Sequence, residues 1–247
     1  MTKRDFSELP LKDVSLALAH FEKKDVVDEE KVRLTRDLLH KVFGAFLSPK
    51  LLKISDKDFE WILRKHLSTR ERLPFYEEVY GRLLRDFKGD VTVVDLGAGV
   101  NGFSYSYLSK LNSKVRYIAV ESVGQLVNLM NSFFKKGKIR GEAVHLSLFE
   151  LEKLKKLLGK QKKPRVVFLF KVIDSLEMME KNYSKKLISE ISQFSERIVL
   201  SFATESMIKR KVFRADRKWL VDFIRENFVV LDEFKSGGEK FIVFRKV

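Results

Sequence analysis

The sequence predicts an α/β protein in which a doubly wound, mostly parallel sheet of seven strands follows a helical N-terminal segment. Before residue 88, apolar residues recur at the three- and four-residue spacing of amphipathic helices. After it, short runs of β-branched and apolar residues alternate with segments that can be helical, as in a sheet buried on both faces. The chain then ends in two strand-like runs around a Gly237-Gly238 turn, which indicates an antiparallel hairpin.

The N-terminal segment is predicted to contain four helices. The apolar pattern of the first helix begins at Leu11, and that of the second follows the acidic residues that start at Asp28. The third helix is predicted to start at Ser55 and the fourth near Ser68. The fourth pattern runs through Tyr80 to Leu84 and contains Pro74. Because proline removes a backbone hydrogen bond inside a helix, the fourth helix is expected to kink at Pro74 or to begin there.

The predicted strands are short and rich in Val, Ile, Leu and Phe. They are VTVVDL (91–96), VRYIAV (115–120), EAVHLSL (142–148), RVVFLFK (165–171) and RIVLSF (197–202), and the hairpin runs are FVVLDEF (228–234) and EKFIVFRK (239–246). Five strand-helix units followed by an antiparallel hairpin predict a doubly wound sheet with an edge strand inserted backwards.

The composition limits the possible functions. With 247 residues, 45% of them hydrophobic, the chain can bury a sizeable core, and its apolar runs are far shorter than the roughly 20 residues of a membrane span. The chain begins without an apolar signal segment and has no cysteine, so we expect a cytoplasmic protein without disulfides. Its four histidines lack the spacing of metal ligands, so no metal site is expected.

The net charge of +15 predicts a polyanionic partner. Nucleic acid is the first candidate, because phosphate neutralisation by Lys and Arg dominates such affinities. An anionic membrane surface is a second candidate, and a lysine-rich protein from a hot environment is the alternative without a partner. A monomer is favoured, although no residue pattern decides the oligomeric state.

A glycine-rich turn follows the first predicted strand. Asp95, Gly97 and Gly99 form the pattern D-x-G-x-G, whose glycines permit a positive φ and a close approach of ligand to backbone. Gly102 also completes G-x-G-x-x-G, the dinucleotide fingerprint. An acidic residue, Glu121, ends the second strand, where two carboxylate oxygens suit ribose hydroxyls. The dinucleotide interpretation uses the same carboxylate, but Asp95 and the terminal hairpin favour a class I S-adenosylmethionine-dependent methyltransferase, to which the pattern is similar.

The stretch KHLSTRERLP (65–74) has two interpretations. Ser68 and Glu71 have the S-x-x-E spacing of a capping box, which predicts a helix that begins at Ser68. The same helix start, with its free amides and with Arg70 or Arg72 nearby, also suits a carboxylate ligand. The two interpretations are compatible, since a cap can order the helix while an arginine binds the ligand.

Four segments, in this order, resemble one family. They are HLSTRERLP (66–74), VVDLGAGVNG (93–102), FLFKVIDSLE (168–177) and VLSFATESM (199–207). They are similar to the 16S ribosomal RNA methyltransferases that confer aminoglycoside resistance by methylating a decoding-site guanine at N7, and the resemblance covers roughly residues 36–247. It implies a helical N-terminal domain that docks RNA or the ribosome (1–88) and an S-adenosylmethionine-dependent methyltransferase domain (89–247).

The resemblance also implies roles for individual residues. The cofactor residues would be His66, Ser68, Thr69, Arg70, Arg72, Asp95, Gly97, Gly99, Asn101, Glu121, Ser147, Leu148 and Phe170. Lys171 and Glu177 would lie near the target base as the catalytic pair. The chain departs from the family where a cysteine is replaced by Ala98, a proline by Gly102 and an acid beside the adenine by Ser147. These departures put the RNA target in question more than the cofactor.

Basic and aromatic residues give candidate RNA contacts. A basic cluster after the fifth strand is expected to contact phosphate, and its members in the predicted site are Lys209, Arg210, Lys211 and Arg214. A lysine-rich stretch at 153–165 is expected at the opposite edge of the sheet as a solvated face. Phe103, Tyr105 and Tyr107 follow the glycine turn, where an aromatic side chain is more often core than a holder of a flipped base.

The sequence therefore predicts methyl transfer from S-adenosylmethionine to guanine N7 of small-subunit ribosomal RNA. N7 already carries a lone pair, so positioning of base and methyl group is the main task, which fits a chain without an obvious catalytic dyad. One alternative is a methyltransferase for another RNA site. The other is a ribosome-binding assembly factor that has kept the fold without the chemistry.

Overall fold

The structure is a computed structural model that describes residues 8–44, 59–204 and 217–247. Its helices are α1 (Leu11–Ala19), α2 (Asp28–Leu39), α3 (Phe59–Lys65), α4 (Leu67–Arg72), α5 (Tyr76–Leu84), α6 (Tyr105–Leu111), α7 (Gly124–Lys136), α8 (Leu151–Gly159), α9 (Ile173–Met179), α10 (Tyr183–Ser192) and α11 (Lys218–Asn227). None of the helices in these ranges is long and apolar enough to cross a membrane.

One sheet contains all seven predicted strands. They are β1 (Val91–Leu96), β2 (Val115–Glu121), β3 (Gly141–His145), β4 (Arg165–Phe170), β5 (Arg197–Ala203), β6 (Phe228–Ser236) and β7 (Glu239–Lys246), and their order in the sheet is β3-β2-β1-β4-β5-β7-β6. The first five pair in parallel, and β7 is inserted antiparallel between β5 and β6. The predicted doubly wound sheet with a terminal hairpin is confirmed.

Helices cover both faces of the sheet because neighbouring side chains of a strand point to opposite sides. In β1, Val91 and Val93 contribute to one core layer, whereas Val94 and Leu96 contribute to the other. The first layer contains residues of α3, α5, α6 and α7. The second contains residues of α1 and α8 to α11. The described helices before residue 88 thus divide between the two layers of the sheet domain, and a separate docking role for residues 1–88 stays a prediction.

The boundaries differ from the predictions in places. The fourth predicted helix is two helices, since α4 ends at Arg72, a 3₁₀ turn spans Leu73–Phe75 around Pro74, and α5 begins at Tyr76. The third strand ends at His145 rather than at residue 148, because the backbone leaves the sheet there and turns into α8. The predicted start of the third helix at Ser55 lies outside the described residues.

Candidate functional site

A cleft opens at the carboxyl ends of β1, β2 and β4. The strand order reverses between β1 and β4, which is the switch point where doubly wound sheets bind ligands. The cleft has about 890 Å³ of empty space, part of which is open solvent. Its walls come from the turn after β1, the end of β2, the start of α4 and the end of β4. The N-terminal segment adds Asp13 of α1, and Val42 and Phe43 of a π-helical turn (His40–Gly44) that follows α2.

The turn after β1 places backbone against the cleft. Gly97 and Gly99 have φ of +73° and +55°, a conformation that favours glycine. A Cβ on Gly97 would lie 2.6 Å from Val172 Cγ2, and one on Gly99 would lie 3.0 Å from His66 Nε2. Any larger residue would therefore be strained at both positions and would collide with side chains of the cleft wall.

Glu121 ends β2 with its carboxylate held in place by backbone. Its Oε2 accepts the Gly99 N–H at 2.8 Å and its Oε1 accepts the Val123 N–H at 2.9 Å. Burial raises the pKa of Glu121, although these N–H donors oppose that shift. Each carboxylate oxygen keeps a second lone pair, so the group still presents two adjacent acceptors to the cleft.

The start of α4 is built differently from the predicted capping box. His66, not Ser68, is the N-cap, and no side chain caps the helix; the capping-box prediction is therefore wrong. Ser68 lies inside the helix, Thr69 Oγ1 donates to the carbonyl oxygens of Leu63 and His66, and Glu71 binds Lys171 instead. The S-x-x-E spacing matched, but the extended backbone that a cap requires lies two residues earlier, at His66.

The His66 ring lies beside Gly99 at the cleft wall. Burial, with the positive charges of Arg72 and Lys171 adding to it, lowers the pKa of His66 to about 3. The imidazole is therefore neutral at physiological pH.

A buried charge network closes one end of the cleft. The Arg72 guanidinium donates to Glu239 at 2.7 and 3.2 Å and to Asn101 Oδ1 at 3.2 Å, and its centre lies 4.4 Å from the centroid of the Phe170 ring. Lys171 Nζ lies 2.7 Å from Glu71 Oε2 and 3.4 Å from Glu239 Oε2. Burial acts to raise the pKa of Glu239, but the two cations outweigh it and hold that pKa below its usual range.

Lys171 adopts a backbone conformation that non-glycine residues rarely take, with φ of +55°. Such strain persists only where surrounding contacts enforce it, and it is common at functional sites. Here the Lys171 N–H donates to the Ser201 carbonyl and Nζ is held by the two carboxylates. The ammonium is thus fixed at the cleft rather than solvated.

Beneath the glycine turn lies a second polar network. Asp95 Oδ2 accepts from Asn101 Nδ2 at 2.7 Å and from the Tyr117 hydroxyl, and Asn101 Oδ1 accepts from Tyr76 at 2.7 Å. Burial raises the pKa of Asp95 despite these donors. The network ties the end of β1 to α5 and β2, which makes the turn rigid.

The structure brings most of the predicted cofactor residues to one cleft. Those that line it are His66, Ser68, Thr69, Arg72, Asp95, Gly97, Gly99, Asn101, Glu121, Leu148 and Phe170, together with Lys171. Arg70 is exposed and does not line the cleft, so Arg72 is the arginine placed there. Ser147 lies fully buried behind the wall, where its hydroxyl donates to Asp13.

Glu177 does not line the cleft either. Its carboxylate accepts the backbone N–H groups of Asn182 and Ser184, at the start of α10. It therefore serves there as a helix cap, and the structure does not place it beside Lys171. Phe103 and Tyr105 are buried in the core and Tyr107 packs against it, as the core interpretation expected.

Of the two predicted basic clusters, the structure describes only one. In the 153–165 stretch Lys153, Lys155 and Lys163 pair with glutamates at the surface, consistent with a solvated face. The predicted RNA-binding residues Lys209, Arg210, Lys211 and Arg214 lie outside the described residues.

Sequence reasoning missed several residues of the cleft wall. Ser122, Val123 and Leu126 follow Glu121, and the rule that loops after parallel strands line the site would have indicated them. Asp13 and Glu239 gave no such signal, because both reach the site from distant parts of the chain.

Comparison with known proteins assigns this chain to a family. The sequence model of the family described as "Ribosomal RNA methyltransferase (FmrO)" matches residues 49–219. The chain belongs to this family. It is accordingly a ribosomal RNA methyltransferase, and the expected family is confirmed.

Relatives and solved structures agree with that assignment. The 16S rRNA (guanine(1405)-N(7))-methyltransferase of Micromonospora echinospora is 26% identical over 238 residues, covering 88% of this chain and 83% of the relative. The enzyme of the same name from Micromonospora rosea is 26% identical over 200 residues, covering 73% and 69%. The 16S rRNA methylase RmtB superposes with a TM-score of 0.80 at 18% identity, over 99% of this chain and 94% of that one.

A second solved structure carries a ligand. The 16S rRNA methyltransferase RmtF, in complex with S-adenosyl-L-homocysteine, superposes with a TM-score of 0.78 at 18% identity, over 98% of this chain and 94% of that chain. The fold of this family member is thus that of class I S-adenosylmethionine-dependent methyltransferases, as predicted.

Proposed function

We propose that this ribosomal RNA methyltransferase transfers a methyl group from S-adenosylmethionine to N7 of a guanine in the decoding-site region of 16S ribosomal RNA. The observation that carries the proposal is the cleft at the switch point, where a glycine turn, a two-acceptor carboxylate and a buried arginine meet. The guanine-N7 activity named for the Micromonospora relatives supports the substrate. The place of action would be the cytoplasm, with the small ribosomal subunit as partner.

The residues of the cleft suit the parts of S-adenosylmethionine in order. Gly97 and Gly99 bring bare backbone to the cleft, which the methionine part can approach closely, and a side chain at either position would collide with Val172 or His66 of the wall. Glu121 presents its two oxygens to the ribose hydroxyls. Arg72 is the candidate for the methionine carboxylate. Its guanidinium is already paired with Glu239, so a bound carboxylate would share it or displace Asn101 from it.

Methyl transfer to N7 is an in-line displacement, in which the N7–carbon bond forms as the sulfur–carbon bond breaks. S-Adenosylmethionine supplies the methyl group, and positive charge passes from sulfur to the guanine ring. No proton has to leave N7 first, so the chain's task is to orient the base and to exclude water. Glu71 and Glu239 are paired with cations at the cleft, so their part is to hold Lys171 in a fixed position.

Lys171 is the candidate for orienting the target. Its Nζ is buried and held by two carboxylates, so it has a defined position at the end of β4. One ammonium hydrogen remains for the O6 carbonyl of a guanine or for a phosphate oxygen. A flipped guanine held in this way would present N7, which neighbours O6, toward the methyl group.

Methyl mapping tests the proposal. Small ribosomal subunits that lack the modification are incubated with the protein and S-adenosylmethionine labelled with tritium in the methyl group. Borohydride and aniline then cleave the RNA at 7-methylguanosine, and primer extension locates the break. We expect label in 16S RNA and a single strong stop at a decoding-site guanine.

Other outcomes separate the alternatives. Label in RNA without a cleavable 7-methylguanosine, or a stop elsewhere, would identify a methyltransferase for another RNA site. Binding to subunits without binding of S-adenosylmethionine would identify the non-catalytic assembly factor. Naked 16S RNA and large subunits, tested in parallel, show which substrate the protein requires.

A further inference from the structure

Asp13 is a buried carboxylate that the described contacts leave incompletely satisfied. It lies in α1, has no exposed surface and lines the cleft. Its Oδ1 accepts a hydrogen bond from Ser147 Oγ at 2.6 Å. Its Oδ2 has no hydrogen-bond partner among the described residues. A buried carboxylate oxygen without a donor is costly, so a donor from a ligand would stabilise this arrangement.

The hydroxyl of Ser147 fixes which oxygen is available. Ser147 Oγ accepts the Phe149 N–H at 3.1 Å, and its single hydrogen is directed to Asp13 Oδ1. Oδ1 is therefore committed as an acceptor, and Oδ2 is the oxygen left for a ligand. The carboxylate is oriented by a neighbour that is itself fully buried.

The pKa of Asp13 also indicates that its carboxylate has too few hydrogen-bond donors. Burial raises the pKa of Asp13, and the hydroxyls of Ser147 and Ser122 only partly oppose it. The Ser122 hydroxyl does not form a hydrogen bond with Oδ2. Among the charged groups nearby, Glu150 raises the pKa further and His145 lowers it. A neutral N–H donor would relieve the same deficit.

The position of Asp13 along the cleft indicates what that donor is. Glu121 ends β2, and Ser147 follows β3, the next strand outward. A base attached to a ribose at Glu121 would extend in this direction. The wall there is apolar, formed by Val123, Leu126, Leu148 and Phe149, which suits the faces of a purine ring.

We propose that Asp13 Oδ2 accepts a hydrogen bond from the 6-amino group of the cofactor's adenine and thereby selects adenine over a 6-keto purine. This inference rests on the proposed S-adenosylmethionine site. It makes α1 part of that site, although α1 precedes residues 49–219, to which the family model matches. Ser147 acts as a positioning residue, because it orients Asp13 and does not line the cleft.

The test compares two ligands that differ only at this edge of the purine, S-adenosylhomocysteine and S-inosylhomocysteine. The second carries a keto oxygen in place of the 6-amino group, which would face Oδ2 without a hydrogen between them. We expect the unaltered protein to bind the adenosyl ligand about 10- to 100-fold more tightly, the range of one hydrogen bond to a charged group. Equal affinities in isothermal titration calorimetry would overturn the proposal without any variant.

Asp13→Asn gives an independent test. Because Ser147 keeps the Oδ1 position as an acceptor, the new amide nitrogen takes the position of Oδ2 and becomes a donor. We expect weaker binding of the adenosyl ligand, tighter binding of the inosyl ligand, and a preference reduced at least about tenfold. If Asp13 had only a structural role, the variant would bind both ligands more weakly by the same factor, and that result would overturn the proposal.

The control is Asp28→Asn, the same change at an exposed carboxylate of α2, which should leave both affinities unaltered. The outcomes separate this inference from the proposed function. An equal loss for both ligands in Asp13→Asn removes Asp13 from adenine recognition and leaves the methyl-donor site intact. Absence of adenosyl binding by the unaltered protein overturns both.

Discussion

At the scale of single residues, the cleft gathers ionisable groups that would be unfavourable in an apolar core. Four such groups are buried there: Asp13, His66, Asp95 and Glu121. Burial raises the pKa of the three carboxyl groups and lowers that of the imidazole, so it favours the neutral form of each. Such perturbed groups in a cleft are typical of functional sites. Two of them give direct predictions.

Glu121→Ala should weaken binding of S-adenosylhomocysteine by about 10- to 100-fold, because the variant has neither acceptor for the ribose hydroxyls. Glu142→Ala removes an exposed carboxylate from the neighbouring strand β3 and is the matched control. Calorimetric titration measures both. A dissociation constant for Glu121→Ala that equals the control's would remove Glu121 from the site.

His66 should make the protein sensitive to acid. The unfolded chain protonates this imidazole below its ordinary pKa of 6.5, whereas in the folded chain the pKa is about 3. The unfolded state therefore binds more protons, and the free energy of unfolding falls as the pH decreases between these values, by up to about 1.4 kcal/mol per pH unit.

Urea unfolding from about pH 7.5 to about pH 4.5, which covers the upper part of this interval, measures the effect. His66→Gln should show a shallower loss of stability with acid than the unaltered protein does. The same change at exposed His20 is the control. Equal slopes for His66→Gln and the unaltered protein would contradict the buried neutral imidazole.

At the scale of elements, the terminal hairpin completes the site. β7 begins with Glu239, which is buried between Arg72 of α4 and Lys171 at the end of β4, and it also accepts from Ser201 of β5. Four elements that are far apart in the chain thus share one carboxylate. The hairpin therefore has a role beyond covering the edge of the parallel sheet.

Glu239→Gln should destabilise the protein by about 3–5 kcal/mol, because it leaves two buried cations without their common counter-charge. Glu233→Gln is the matched control on the same hairpin. Its carboxylate is partly exposed and pairs with Arg225 and Lys240, so the loss there should stay below about 1 kcal/mol. Urea unfolding that gives equal losses for the two variants would show that Glu239 is not a buried counter-ion.

At the scale of the whole molecule, the net charge of +15 suits a ribosomal RNA substrate. The residues predicted to bind the RNA phosphates follow β5, whose carboxyl end lies on the cleft side of the sheet. The lysines of α8, by contrast, precede β4 and lie toward the other edge, where glutamates already pair with several of them.

Reversing Lys209, Arg210 and Lys211 to glutamate should weaken binding of 16S RNA and make its dependence on salt less steep. The logarithmic slope should fall by about 0.7 to 0.9 for each phosphate that the variant no longer neutralises. Reversing Lys153, Lys156 and Lys160 changes the charge equally and should have a smaller effect. Filter binding across a salt series measures both. Affinity for S-adenosylhomocysteine should be unaltered in either variant. An equal decrease of RNA affinity in the two variants would show that net charge alone is responsible.

Local signals predicted much of this architecture. The run at 91–96 became a strand at its predicted position, and the run at 165–171 did so to within one residue, since a buried parallel strand needs a continuous apolar run. Gly97 and Gly99 were identifiable because a turn with positive φ favours glycine. The S-x-x-E spacing at Ser68 misled, because a capping box is defined by backbone conformation, and the extended residue is His66.

The sequence by itself determined the class of fold, the glycine turn and the carboxylate that follows β2, because each depends on residues close together in the chain. Only the tertiary structure decided that Arg72 rather than Arg70 reaches the cleft, that Glu177 caps α10, and that Glu239 joins the site. It also decided that Asp13, from the first helix, meets Ser147 after β3. Contacts between residues so far apart leave no spacing in the sequence, and only the packing of the elements brings their side chains together.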